Sequence, residues 1–287
     1  MISIHKSNMA LSKNNLFNIF ITIAALLLSS CGGKNKGANN FLNEAQAAYI
    51  DKNYALAKLK IDSIKMMHPN AFNEITKGFD LMQQVRLAEN LRNIAYCDSM
   101  LEVSYEKLNA SLNDFNYVRD PQYQEFGDYI PKSLPLNNAF SSNGLRVAVN
   151  ENGHMYLESV FSGQAIKHNK IKVSTKDGAF AESLAVTTDG LNYNFKTLNK
   201  TYEIVRFSGN NDNGVANFIY TFKDAAITLT FIGNTQRSIT LPSITKQAIS
   251  NSVELSSLIL NIEDLKYEKG KSEALINYLK SKESNQN

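Results

Sequence analysis

The chain is poor in the residues that carry most recognisable chemistry. Cysteine occurs twice in 287 residues, as Cys31 and Cys97, too few for a disulfide framework or a four-ligand zinc site. Tryptophan is missing altogether, a compositional habit with no chemistry attached. Charge of one sign is also missing. The formal net charge is +3, and Lys6 and Lys13 are the only formally charged side chains in the first 30 residues, which leaves 28 basic against 27 acidic residues beyond them. That balance gives no electrostatic case for nucleic acid, which requires concentrated Lys and Arg. Phosphate-cradling GxxxxGK and GxGxxG loops, a GxSxG nucleophile elbow and an HExxH metal helix are all absent. The longest apolar run, LFNIFITIAALLL at 16–28, is too short to span a bilayer as a helix, which needs about 20 residues.

What is present starts with that run. A positive flank holding Lys6 and Lys13, a short apolar region and then small residues form a secretory leader. The small residues are Ser29 and Ser30, and Cys31 follows. Leu28-Ser29-Ser30-Cys31 resembles the lipobox of bacterial lipoproteins. The resemblance implies cleavage between Ser30 and Cys31 and attachment of lipid to the Cys31 sulfur, so that residues 1–30 are a signal peptide and the membrane is a partner through acyl chains. Residues 31–40, rich in Gly, Asn and Lys, read as a flexible tether. Gly32 is not the aspartate of inner-membrane retention, and no acidic cluster follows Cys31 as in the surface-export signal of Bacteroidota-type lipoproteins. Both absences point to the outer membrane and a periplasm-facing protein.

Residues 41–116 read as helical. Phe41, Ala45 and Ala48 share one helical face, and Tyr54, Ala57, Ile61 and Ile64 share another, with a joint near Lys52-Asn53 and a stop at Pro69. The aromatic, small, aromatic, small, large and proline positions at Phe41, Ala45, Tyr54, Ala57, Ile61 and Pro69 resemble one tetratricopeptide repeat, while Glu44 and Ala48 depart from it and no second copy follows. A long helix, coiled-coil-like, is expected from about Ala71 to Phe115, with Phe72, Ile75, Phe79 and Met82 on its apolar face and Cys97 as a buried small side chain. Asp62-Ser63-Ile64 and Asp98-Ser99-Met100 match the short O-glycosylation pattern of Bacteroidota envelope proteins.

Prolines 121, 131 and 135 break periodicity over 117–144, the expected linker. From Leu145 to Pro242 the period changes to two, and eight short strands, among them ESLAVTT and ANFIYTF, predict an antiparallel β-sandwich or partial barrel. Helical spacing returns over 243–282, with a break expected at Gly270 before a short final helix. The fold class is therefore α+β, and its arrangement is similar to Bacteroidota-type lipoproteins, a likeness that implies location and architecture but no activity.

No catalytic, cofactor-binding or metal-binding set emerges. His5 lies in the leader, His68 ends a helix, and His154 and His168 stand in the β half, where they could meet. Asn210–Gly214 has the look of a calcium loop but lacks its first and last ligands and reads as a hairpin turn. Glu151, Glu158, Asp177, Glu182, Asp189 and Glu203 are scattered, and spacing selects no pair. The expected function is a lipid-anchored envelope protein that binds or scaffolds, with a protein partner on the helices and a protein or glycan on the β half. The alternatives are an envelope hydrolase for glycan or peptide and a ligand-binding accessory to an outer-membrane transporter. The accessory would show Tyr156, Tyr193, Tyr202 and Phe218 together on one face.

Overall fold

A computed structural model describes residues 36–134, 143–187, 192–197 and 200–284. The chain is α+β and forms two compact units, one of residues up to Ile94 with those from Lys271 onward, the other of Ala95–Gly270.

The first unit opens with α1 (Lys36–Ile50) and α2 (Tyr54–Met67), followed by α3 (Phe72–Leu112), which continues into the second unit. The turn between α1 and α2 places Lys52 at φ 58, and the Asn53 side chain caps α2 by accepting the Leu56 N–H at 3.2 Å. Ala45, Ala48 and Ala57 are buried with Tyr54, Ile61, Leu81 and Val85, and their small size lets the helices lie close. Helix α1 begins inside the stretch expected to be a flexible tether. Its first turn is held because Gly37 lies against the His68 ring, where an added Cβ would come within 2.6 Å, and because Ala38 is enclosed by Ile64 and Ala71. The apolar face of α3 is also shifted by one residue from the one expected. Glu74, Gly78, Leu81 and Val85 face inward, as does Ala71 just before the helix, while Phe72 and Phe79 are exposed. Gly78 causes the shift: a Cβ there would touch Ile61 and Ile64 at 3.4 Å, so the helix seats its small residue on α2 and turns the phenylalanines outward.

Among the described residues the second unit holds ten strands. They are β1 (Phe115–Val118), β2 (Asp128–Pro131), β3 (Gly144–Asn150), β4 (Met155–Gly163), β5 (Lys170–Thr175), β6 (Phe180–Glu182), β7 (Asn192–Thr197), β8 (Lys200–Ser208), β9 (Ile227–Ile232) and β10 (Gln236–Thr240). All pair antiparallel, in a six-stranded sheet ordered β1-β2-β3-β4-β8-β7 and a four-stranded sheet ordered β10-β9-β5-β6. Leu157, Phe161, Val205 and Phe207 of the larger sheet share one core with Ile171, Val173, Leu229 and Phe231 of the smaller. Alternation at period two produces this core, since alternate residues of β3, β4, β5, β8 and β9 face it. At the other end of the larger sheet, Phe115 and Val149 pack with Leu255 and Ile259. Cys97 is buried with a free thiol.

Four expectations are corrected in this unit. The stretch 117–144 is not simply a linker, because it carries β2 and the second half of β1; Phe115 anchors them in the core and the Lys132 N–H bonds to Asp114 O at 2.9 Å. ANFIYTF is a helix, α4 (Val215–Thr221), not a strand. The Asp212 carboxylate accepts the Gly214 and Ala216 N–H groups and starts the helix, and Val215, Ala216 and Ile219 bury at helical spacing. Within ESLAVTT the strand stops after Glu182, because the Ser183 hydroxyl takes the Ile171 N–H at 3.0 Å and gives its own proton to Leu184 O. Finally, α5 (Ser243–Ser284) runs through Gly270 without a break. One exposed glycine costs a helix about 1 kcal/mol, too little to end it where no proline follows.

Candidate functional site

The six-stranded sheet places an alternating row of charges across three neighbouring strands. Arg146 on β3, Glu158 on β4 and Arg206 on β8 are cross-strand partners on the face away from the shared core. Arg206 donates to Glu158 Oε1 through Nε at 2.9 Å and Nη2 at 2.8 Å, and Arg146 donates to Oε2 at 3.3 Å. Burial pushes the Arg206 pKa down and the Glu158 carboxylate outweighs it, so the guanidinium is held in its charged form. Its plane lies 4.0 Å from the Tyr156 ring centroid, and Tyr156 donates its hydroxyl to Asp128 Oδ2 at 3.0 Å. Burial raises the Tyr156 pKa, so the phenol stays a donor. Gln124 gives a second hydrogen bond to the same Asp128 oxygen.

Arg206, Tyr156, Asp128 and Gln124 border a cleft of about 620 Å³ that also takes in Phe126, His154 and Asp212. The Asp212 pKa is raised by burial, against the lowering effect of its two backbone N–H bonds. Of the aromatics expected together, Tyr156, Tyr193 and Tyr202 do share this sheet face, with Phe195 stacked on Tyr202 at 5.0 Å. Phe218 does not: it sits on α4, packed against the core.

A second constellation lies on the opposite face of β4 and β8. His168 Nδ1 is 2.8 Å from Glu203 Oε2, and its Nε2 is 2.7 Å from Ser159 Oγ. With Nδ1–H donating to the carboxylate, Nε2 accepts the serine proton, which is the connectivity of a nucleophile–base–acid relay. The environment removes that function. Ser159 has no exposed surface, and Phe161 and Phe231 stand edge-on to the imidazole at 6.2 and 5.4 Å. A substrate carbonyl has no approach to Oγ.

The arrangement instead holds the chain around residues 166–168. The Glu203 carboxylate accepts the successive N–H groups of Ile166, Lys167 and His168 at 2.8, 2.7 and 2.9 Å, with Lys167 in the left-handed region at φ 55. It is an anion nest filled by an internal carboxylate. Burial pushes the Glu203 pKa up, but the His168 and backbone bonds outweigh it and hold it below the usual range. Gly233 closes the other side, since any Cβ there would lie 2.3 Å from Ile166 O.

Ser30 and Cys31, the expected cleavage and lipid-attachment residues, lie outside the described residues, as does Asp189. The two β-half histidines are not brought together: His154 is exposed at the cleft and His168 is enclosed. Among the scattered acids, Glu151 accepts from Tyr117, Glu158 pairs with two arginines, Glu182 with Lys170 and Glu203 with His168. Among the described residues no group of three His, Cys, Asp or Glu side chains is placed to hold a metal ion, and no helix is long and apolar enough to cross a membrane. Sequence spacing gave no access to either constellation, because each joins residues on strands far apart in the chain. No family model, curated protein or solved structure matches the chain.

Proposed function

We propose that this is a lipid-anchored envelope protein of the binding or scaffold type, attached through Cys31 to the outer membrane and facing the periplasm. Leu28-Ser29-Ser30-Cys31, directly after a short apolar run, carries the reading. The lipid of Cys31 supplies location, and the cleft on the larger sheet supplies recognition. Three charges of its lining are already satisfied internally: Arg206 by Glu158, Asp128 by Tyr156 and Gln124, and Asp212 by the Gly214 and Ala216 N–H groups. A charged ligand would have to break those pairs, whereas a neutral hydroxyl-rich ligand such as a glycan can lie on the Tyr156–Arg206 plate and hydrogen-bond to its rim. The helical hairpin, with its likeness to a tetratricopeptide repeat, suits a protein partner.

Mass spectrometry of the mature N-terminus tests the anchor, with a chain beginning at an acylated Cys31 as the expected product. A glycan array tests the cleft. Tyr156→Ala is expected to weaken the retained glycan about tenfold. An array with no retained glycan refutes the glycan reading, and crosslinking in cells then identifies the protein bound.

A further inference from the structure

The start of α1, the end of α2 and the start of α3 come together at one tip of the first unit. Phe41 and His68 have ring centroids 5.9 Å apart, Gly37 lies on the same imidazole, and Ala38 is enclosed by Ile64 and Ala71. Three large apolar side chains flank this junction and turn to solvent: Met66 is 79 % exposed, Met67 66 % and Phe72 73 %. Packing does not explain them, because the neighbouring residues that bury are Ile64, Ala71 and Ile75. Lys36, Lys65 and Lys77 are exposed in the same short helical stretches, and no ion pair among the described residues involves them. The exposed acids nearby are Asp62, three residues before Lys65 on α2, and Asp80, three residues after Lys77 on α3, while Glu74 is buried, so the lysines outnumber the exposed acids three to two.

We infer that this tip is a membrane-contact surface, with Met66, Met67 and Phe72 entering the headgroup–acyl boundary and the lysines meeting lipid phosphates. The inference rests on the lipid-anchor reading for its geometry. Five peptide units join Cys31 to Lys36, and a fully extended chain covers at most about 3.5 Å per residue, so an acylated Cys31 keeps the first turn of α1 within roughly 18 Å of the bilayer. The exposed apolar residues stand at that same end of the helices. A second membrane contact beside an acyl anchor adds apolar burial and attraction to anionic lipid, and fixes the orientation of the helices that carry it.

The absence of tryptophan from the sequence gives a clean probe. The full-length protein, purified from membranes, is reconstituted in phosphatidylethanolamine–phosphatidylglycerol vesicles as the single substitutions Met66→Trp, Met67→Trp and Ile50→Trp. Ile50 is as exposed as the tip residues but ends α1, about 21 Å from Lys36 along the helix. All three sites are solvent-facing, so each variant retains the packed core. The expected result is blue-shifted emission, quenched by brominated lipid, for M66W and M67W, with I50W unshifted and unquenched. Unquenched emission from both tip variants overturns the inference, as does equal quenching of I50W. Incorporation of labelled fatty acid is measured on the same samples and decides the anchor separately: a labelled protein with unquenched tip indoles sinks the contact surface and leaves the anchor standing.

Discussion

Removing the Glu203 carboxylate should be among the most damaging single changes available in the second unit. Four hydrogen bonds end on it: three backbone N–H groups of Ile166, Lys167 and His168, and His168 Nδ1. In Glu203→Ala the Ile166 and His168 N–H groups and the imidazole remain buried without acceptors, while Lys167 is partly exposed and water can replace its partner. At roughly 1–3 kcal/mol for each of these three buried groups left unsatisfied, the loss is about 3–9 kcal/mol, a large share of the 5–15 kcal/mol typical of a folded domain. Glu203→Gln keeps one oxygen for two of the donors and should lose about half as much. Urea unfolding followed by circular dichroism measures the total, and amide hydrogen exchange over residues 164–170 localises it. The pH dependence has a fixed sign. The folded carboxyl pKa lies below its unfolded value, so its contribution is complete above the unfolded pKa of about 4.3 and is lost as the pH falls through the folded pKa. The deficit of Glu203→Ala should therefore be full at neutral pH and shrink in acid. A deficit under about 1 kcal/mol at neutral pH, or one that grows in acid, refutes the carboxylate-in-nest account.

Other consequences are as direct. Lys167→Gly relieves a side chain held at φ 55 and should raise stability by about 1 kcal/mol, read as an increased urea midpoint. Glu158→Ala strips Arg146 and Arg206 of the carboxylate between them and should cost about 3 kcal/mol, while the Glu158→Ala, Arg206→Met pair should recover part of it; a double-mutant cycle in urea shows the coupling. Gly270→Ala fills open space in a continuous helix and should stabilise by about 0.5–1 kcal/mol, whereas a helix broken at Gly270 would show no gain. Gly37→Val drives a side chain into the His68 ring and should speed hydrogen exchange in the first two turns of α1.

Periodicity made the broad architecture legible. Alanines at 45, 48 and 57 marked the helical hairpin, and alternation from Leu145 onward marked antiparallel strands. It failed where a single small residue or one side-chain hydrogen bond set the outcome. Gly78 rotated the buried stripe of α3 away from Phe72 and Phe79; Asp212 turned an alternating segment into α4; Ser183 ended β6 early. The nest of Glu203 and the charge row through Glu158 depend on strand order, which sets 158 beside 206 and 159 beside 205, and no local pattern encodes that order. Gly37 hid the start of α1 within a stretch whose glycine and asparagine content reads as tether.

The proposed anchor at Cys31 is the centre of the functional account, and one comparison tests it directly. Cells expressing the wild-type chain or Cys31→Ala are grown with labelled palmitate and separated into membrane and soluble fractions. The account predicts a labelled wild-type protein in the outer-membrane fraction, and an unlabelled Cys31→Ala protein that leaves the membrane pellet or is retained as an uncleaved precursor. Equal labelling of the two proteins would contradict it, as would a wild-type protein without label.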